Sequence, residues 1–168
     1  MKQIILLIFI LFNSICADDT FHAVRLGVLS HSTGPVSSGK EEGVDLHTEF
    51  LFNTKILKAY PAIGADINLN GDTSFLYSTL VWEGRFFKFL LLGVSLGLGV
   101  HDGELNEGSS DKRQLGTRIL FREAVEIGWY LQDDLVLSFM YDHYSNSGLG
   151  SRPNKGNDNM GLRLSYYF

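Results

Sequence analysis

The sequence predicts an all-β fold, an eight-stranded antiparallel β-barrel of the kind that crosses a bacterial outer membrane. Three observations predict it. Alternation of apolar and polar residues with period two recurs along the chain, cut by turn residues, with little helical period after the first residues. The links between these segments are short on one side and mostly long and polar on the other, as in outer-membrane barrels. The charged residues within the segments share one face while aliphatic and aromatic residues share the other. A soluble sandwich would bury the apolar face, whereas a small membrane barrel turns it outward around a polar interior.

The elements follow in order. Residues 1–17 carry Lys2, then an apolar run from Ile4 to Phe12, then small and polar residues. This is the layout of a cleaved secretory signal peptide, and its apolar part is too short to span a bilayer. Cleavage after Cys16 or after Ala17 removes the single cysteine, so no disulfide forms within the chain. Ile15 is bulky where a lipoprotein signal needs a small residue. Residues 18–168 then form one barrel domain, with strands expected at 21–30, 43–53, 59–70, 73–82, 86–100, 115–131, 134–145 and 158–168. Links 31–42, 101–114 and 146–157 are long, and links 54–58, 83–85 and 132–133 are short. The turn at Asn70-Gly71-Asp72 is short where the pattern calls for a long one.

Facing follows from parity. In the second strand Val44, Leu46, Phe50 and Phe52 oppose Asp45, His47 and Glu49; in the sixth, Ile119, Phe121, Val125, Ile127 and Trp129 oppose Arg118, Arg122 and Glu126. Arg25, Arg118 and Arg122 are expected to meet Asp45, Glu49 and Glu126 inside the barrel, as a structural charge network. Eight strands leave no useful channel, which argues against a pore. The net charge of −5, without a basic run or basic aromatic patch, argues against nucleic acid as a partner. A soluble barrel of the lipocalin kind is the competing fold; interior charges and outward aromatics oppose it.

The chemistry is concentrated near the carboxyl end. His143 and Ser145 are two apart on a strand and therefore share a face. They have the parity of Leu135, Leu137, Phe139 and Tyr141, the lipid-facing side. A last hairpin that sets His143 opposite Asp158 also pairs Tyr141 with Met160, Phe139 with Leu162, Leu137 with Leu164 and Leu135 with Tyr166. One register thus makes an apolar wall with a His-Ser-Asp cluster above it. Serine needs an adjacent base, which His143 supplies. The imidazole needs a carboxylate to fix its tautomer, and Asp158 is placed for that. The Asn146 side chain and the Gly148 backbone N–H stand beside the nucleophile as candidate oxyanion donors. Ser147 is a rival nucleophile further into the loop. A metal site of His143, Asp142 and Asp158 is disfavoured because Asp142 has inward parity. His22, His31, His47 and His101 lack ligand spacing and are expected at the surface or in the lumen.

His143-Tyr144-Ser145-Asn146-Ser147-Gly148-Leu149, followed by Pro153-Asn154-Lys155-Gly156-Asn157-Asp158, resembles the carboxy-terminal motif of the PagL-type lipid A 3-O-deacylases. Leu115-Gly116-Thr117 and Phe121-Arg122-Glu123 are similar to that family with less specificity. The resemblance implies an eight-stranded outer-membrane barrel hydrolysing an ester-linked acyl chain of lipid A, with lipopolysaccharide and the bilayer as its partners. It implies His143 as catalytic histidine, Ser145 as nucleophile, Asp158 as acid, and Asn146 and Gly148 as the oxyanion hole. No metal or organic cofactor enters this scheme. Two departures stand out: the acid is aspartate where the family has glutamate, and the loop before Pro153 is one residue longer. Glu123, outward on the neighbouring strand, is the reserve acid. With both termini periplasmic, the seventh strand runs outward and brings His143 and Ser145 level with the outer leaflet. A non-catalytic small barrel with structural or adhesive loops is the alternative function.

Overall fold

A computed structural model describes residues 19–37, 39–105, 112–148 and 155–168. The expected signal peptide lies outside the described residues, as do Leu149 and residues 150–154. Eight antiparallel strands close into a barrel: β1 Phe21–Ser30, β2 Val44–Phe52, β3 Tyr60–Asn68, β4 Phe75–Phe86, β5 Leu90–His101, β6 Ile119–Tyr130, β7 Leu135–Ser145 and β8 Asn157–Tyr167. Each strand pairs with its sequence neighbours, and β1 closes the sheet against β8. Closure leaves no strand edge unpaired, which a sheet in hydrocarbon requires.

The outer surface is apolar. Leu26, Val28, Leu46, Ile63, Val94, Leu96, Val125, Ile127, Phe139, Leu162 and Leu164 are all exposed, while their strand neighbours Arg25, Asp45, His47, Glu49, Arg122, Glu126 and Arg163 are buried inside. The interior is a filled charge network. Arg25 donates to Glu49 at 2.9 Å and to Glu83; Arg163 donates to Glu49 at 3.1 Å and to Glu126. His47 Nδ1 meets Asp66 at 2.6 Å. Desolvating these charges is costly, and only multiple hydrogen bonds per group offset the cost. The void between Arg25, Glu49, Glu126 and Arg163 is about 10 Å³, far too small for a channel.

Two expectations about the interior are corrected. Arg118 is not in the lumen: β6 begins at Ile119, and Arg118 in the preceding loop donates to the carbonyls of His101 and Gly103. Asp45 pairs with His31 rather than with an arginine. Residues 83–85 are not a turn either. Strand β4 continues to Phe86, and the chain reverses at Phe87 and Lys88, both at positive φ. That extension carries Glu83 inward to Arg25.

Above the charges, nearer the long-loop end, an aromatic layer pins β7 from inside. Tyr144 is fully buried and stacks on Phe75 with ring centroids 4.0 Å apart. Its hydroxyl donates to Asp66 at 2.7 Å and accepts from Arg122 Nε at 3.0 Å. Arg122 also donates to Asp142 at 3.0 Å and lies 3.9 Å over the Tyr77 ring. Asp142 and Tyr144 are thus fixed inward, and strand alternation directs the residues between and after them outward.

Candidate active site

His143 and Ser145 occupy the end of β7 on the outer face, half-buried, on either side of the inward Tyr144. The β7–β8 register is the one expected: His143 opposite Asp158, Tyr141 opposite Met160, Phe139 opposite Leu162, Leu137 opposite Leu164 and Leu135 opposite Tyr166. His143 Nδ1 lies 2.6 Å from Asp158 Oδ1. Asp158 is fully buried, while the His143 side chain keeps 15% exposure. A buried carboxylate behind a partly open imidazole leaves Nε2 as the face toward a reactant. A hydrogen bond from Ser145 to His143 is not formed among the described residues; such contacts often tighten only with substrate in place.

The second carboxylate oxygen is occupied too. Asp158 Oδ2 accepts the backbone N–H groups of Val36 and Ser37, both at 2.8 Å. The β1–β2 loop runs beside the start of β8, with Thr33 N–H donating to the Asp158 carbonyl at 2.8 Å and Asp158 N–H to the Ser37 carbonyl at 3.1 Å. Nothing in the sequence pattern pointed to this loop as part of the site.

Glu123 sits directly opposite His143 on the other side, in β6, and is exposed. The histidine therefore has a carboxylate on each neighbouring strand, and its hydrogen bond is to Asp158. Asn146 is buried and shapes the turn after β7: its Oδ1 accepts the Gly148 N–H at 2.9 Å, and its Nδ2 donates to the Leu115 carbonyl at 3.2 Å. Ser147 and Gly148 both have positive φ, which explains glycine at the second of these positions. The Gly148 N–H thus points at Asn146 in this state, and an oxyanion would compete with Oδ1 for it. Ser147 is exposed at the turn tip.

A groove of about 520 Å³ opens beside His143 on the outer face. It is bounded by Val36, Leu96, Glu123, Val125, Tyr141 and His143. Its walls are mainly apolar, as a site for an acyl chain requires.

The remaining histidines are elsewhere. His22 stacks on Tyr60 near the short-turn end, His47 is in the lumen, and His101 Nε2 meets the Thr117 carbonyl at 2.7 Å. His31 anchors the base of the β1–β2 loop, with Nδ1 2.8 Å from Asp45 and Nε2 3.2 Å from Glu41. Burial opposes its charge, but the hydrogen bonds to both carboxylates prevail and hold its pKa up at about 9. Burial likewise opposes the Glu41 carboxylate, and hydrogen bonds from His31, the Arg113 N–H and Thr73 hold it below the usual range. No group of three or more His, Cys, Asp or Glu suited to a metal occurs among the described residues.

A model of the lipid A 3-O-deacylase (PagL) family matches residues 41–167. The chain belongs to that family. Among solved structures it is similar to the outer-membrane enzyme PagL, at 15% identity and TM-score 0.65, covering 87% of this chain and 99% of that one. It is similar also to Neisserial surface protein A, at 11% identity and TM-score 0.62, covering 87% and 96%. The Yersinia pestis outer-membrane protein Ail aligns at 11% identity and TM-score 0.52, covering 89% and 99%. At these identities the three structures show the shared outer-membrane barrel fold alone. No curated protein matches the chain.

Proposed function

We propose that this family member is a serine esterase of the Gram-negative outer membrane that removes the 3-O-linked acyl chain of lipid A. The observation that carries this reading is the 2.6 Å His143–Asp158 contact on the outer face, two residues along the strand from Ser145. Ser145 Oγ attacks the ester carbonyl as His143 Nε2 takes its proton. Asp158 holds the Nδ1–H tautomer and stabilises the imidazolium. Asn146 and Gly148 donate to the developing oxyanion as their mutual hydrogen bond yields. Collapse of the tetrahedral intermediate breaks the ester, and His143 returns the proton to the departing sugar hydroxyl. Water, deprotonated by the same histidine, then releases the fatty acid and regenerates Ser145.

The location suits the substrate. With the termini at the periplasmic end, the opposite rim lies at the outer leaflet, where lipopolysaccharide resides. The site opens sideways beside lipid-facing Leu96 and Val125, so the ester is reached without leaving the bilayer. Residues 1–17 act as the cleaved export signal in this account.

Mass spectrometry of lipid A from cells expressing the protein tests the reading. One hydroxyacyl chain should be lost, with fragmentation placing the missing ester at the 3 position. Unaltered lipid A beside a correctly folded barrel would favour a non-catalytic barrel instead.

A further inference from the structure

We propose that the β1–β2 loop is a positioning element for the catalytic acid: the backbone N–H groups of Val36 and Ser37 fix the Asp158 carboxylate against His143, and Gly34 allows that approach. The inference rests on the esterase reading given above and deepens it. An aspartate is about 1.5 Å shorter than the glutamate expected from the family motif. It therefore has less freedom to adjust and depends more on what surrounds it.

The loop supplies that surrounding. Two N–H donors at 2.8 Å satisfy Oδ2, leaving Oδ1 for His143. His143 is the one ion-pair partner of Asp158 among the described residues, and the two amides add hydrogen bonds to this fully buried carboxylate. Backbone pairing on both sides of the acid, through Thr33 and Ser37, sets the loop's height relative to β8. The contact is close enough that a Cβ on Gly34 would lie 2.4 Å from Asp158 Cβ and 2.5 Å from Oδ2. No side chain fits there without parting loop and acid.

The loop is itself held at both ends. His31 lies between Asp45 and Glu41, and Glu41 also accepts from Thr73 and from the Arg113 N–H. The Arg113 guanidinium donates to Ser32 Oγ at 2.9 Å and to the carbonyls of Gly39, Gly156 and Lys155. This clamp ties the first loop to the segment entering β8. Val36 also walls the groove, so the loop that aligns the acid shapes the substrate side as well.

The test uses Gly34→Ala, which forces a Cβ against the acid, and Ser37→Pro, which deletes one donor. Each is purified as a heat-modifiable barrel and compared with Asp158→Ala and with Gly34→Ala/Asp158→Ala. Two signals are read: lipid A deacylation, and the downfield proton resonance of His143 Nδ1–H, assigned by its loss in His143→Gln. Both loop variants should lose the resonance and about 100-fold in kcat, and Gly34→Ala should cost nothing further once Asp158 is alanine. Retention of the resonance and of kcat in both loop variants overturns the inference. So does an additive loss in the Asp158→Ala background, which marks a general structural effect. If the wild type leaves lipid A intact while the loop variants still abolish the resonance, the deacylase reading fails and the positioning role stands.

Discussion

The barrel contains two histidine–aspartate pairs with the same 2.6 Å spacing, His47–Asp66 in the lumen and His143–Asp158 on the outer rim. Their geometry at Nδ1 is alike, and their chemistry is not. His47 is fully buried, and its Nε2 lies 3.3 Å from Arg163, a donor that occupies the lone pair a general base would use. His143 keeps its Nε2 side partly open, beside a groove and on the face of Ser145. A histidine held by a carboxylate is a common structural unit. It becomes a candidate catalytic unit when strand parity turns it toward a nucleophile and a place for substrate.

The largest effects should fall on the rim pair. Ser145→Ala and His143→Ala should each remove deacylase activity, by on the order of 10⁶-fold in kcat, and the double variant should be no worse than either. Quantitative lipid A mass spectrometry on purified protein reads this; strictly additive losses would break the idea of a single unit. Asp158→Asn should cost about 10⁴-fold by disturbing the imidazole tautomer, while Glu123→Gln should have a far smaller effect. The reverse order in the same assay would transfer the acid role to β6. Asp158→Glu preserves the charge but needs room that Gly34 and its loop occupy, so its kcat should fall below wild type.

The lumen pair should behave oppositely. His47→Ala leaves the buried Asp66 carboxylate with the Tyr144 hydroxyl but without its histidine, and should destabilise the barrel by about 3–5 kcal/mol, with kcat of the folded fraction unchanged. Urea unfolding followed by heat-modifiable migration measures the first, and active-site-normalised rates the second. A selective loss of kcat would erase the distinction between the pairs.

The smallest effect concerns His31 and pH. Its raised pKa means its stabilising contribution is complete below 6.5 and lost as pH rises through about 9. The lowered pKa of Glu41 gives a contribution present above 4.5 and lost as pH falls through its folded-state value. The protection factors of the Val36 and Ser37 amides, corrected for the pH dependence of intrinsic exchange, should be highest between these limits, and His31→Gln should remove the alkaline part of the dependence. An unchanged alkaline profile in that variant would separate His31 from the loop.

Much of this was legible in the sequence because strand alternation propagates. Once His143 was set against Asp158, the same register accounted for the apolar pairs from Tyr141–Met160 to Leu135–Tyr166, and the structure has them all. Asp142 turned inward for the same reason. What was not legible lacks a period. The contacts of Val36 and Ser37 with Asp158 span more than a hundred residues from loop to strand and leave no local signature. Glu83 was hidden because Glu83-Gly84-Arg85 reads as a turn, whereas the chain reverses at Phe87-Lys88 without the glycine or asparagine that positive φ usually selects. Arg118 reads as a lumen residue only if the β6 alternation starts at residue 115, four residues before the strand begins at Ile119.

The most direct test of the central claim is intact-protein mass spectrometry after exposure to a serine-directed alkyl phosphonate reagent, followed by peptide mapping. One adduct on Ser145 is expected, absent from His143→Ala and retained in His47→Ala. Modification of Ser147 instead, or labelling of Ser145 that survives loss of His143, would contradict the account.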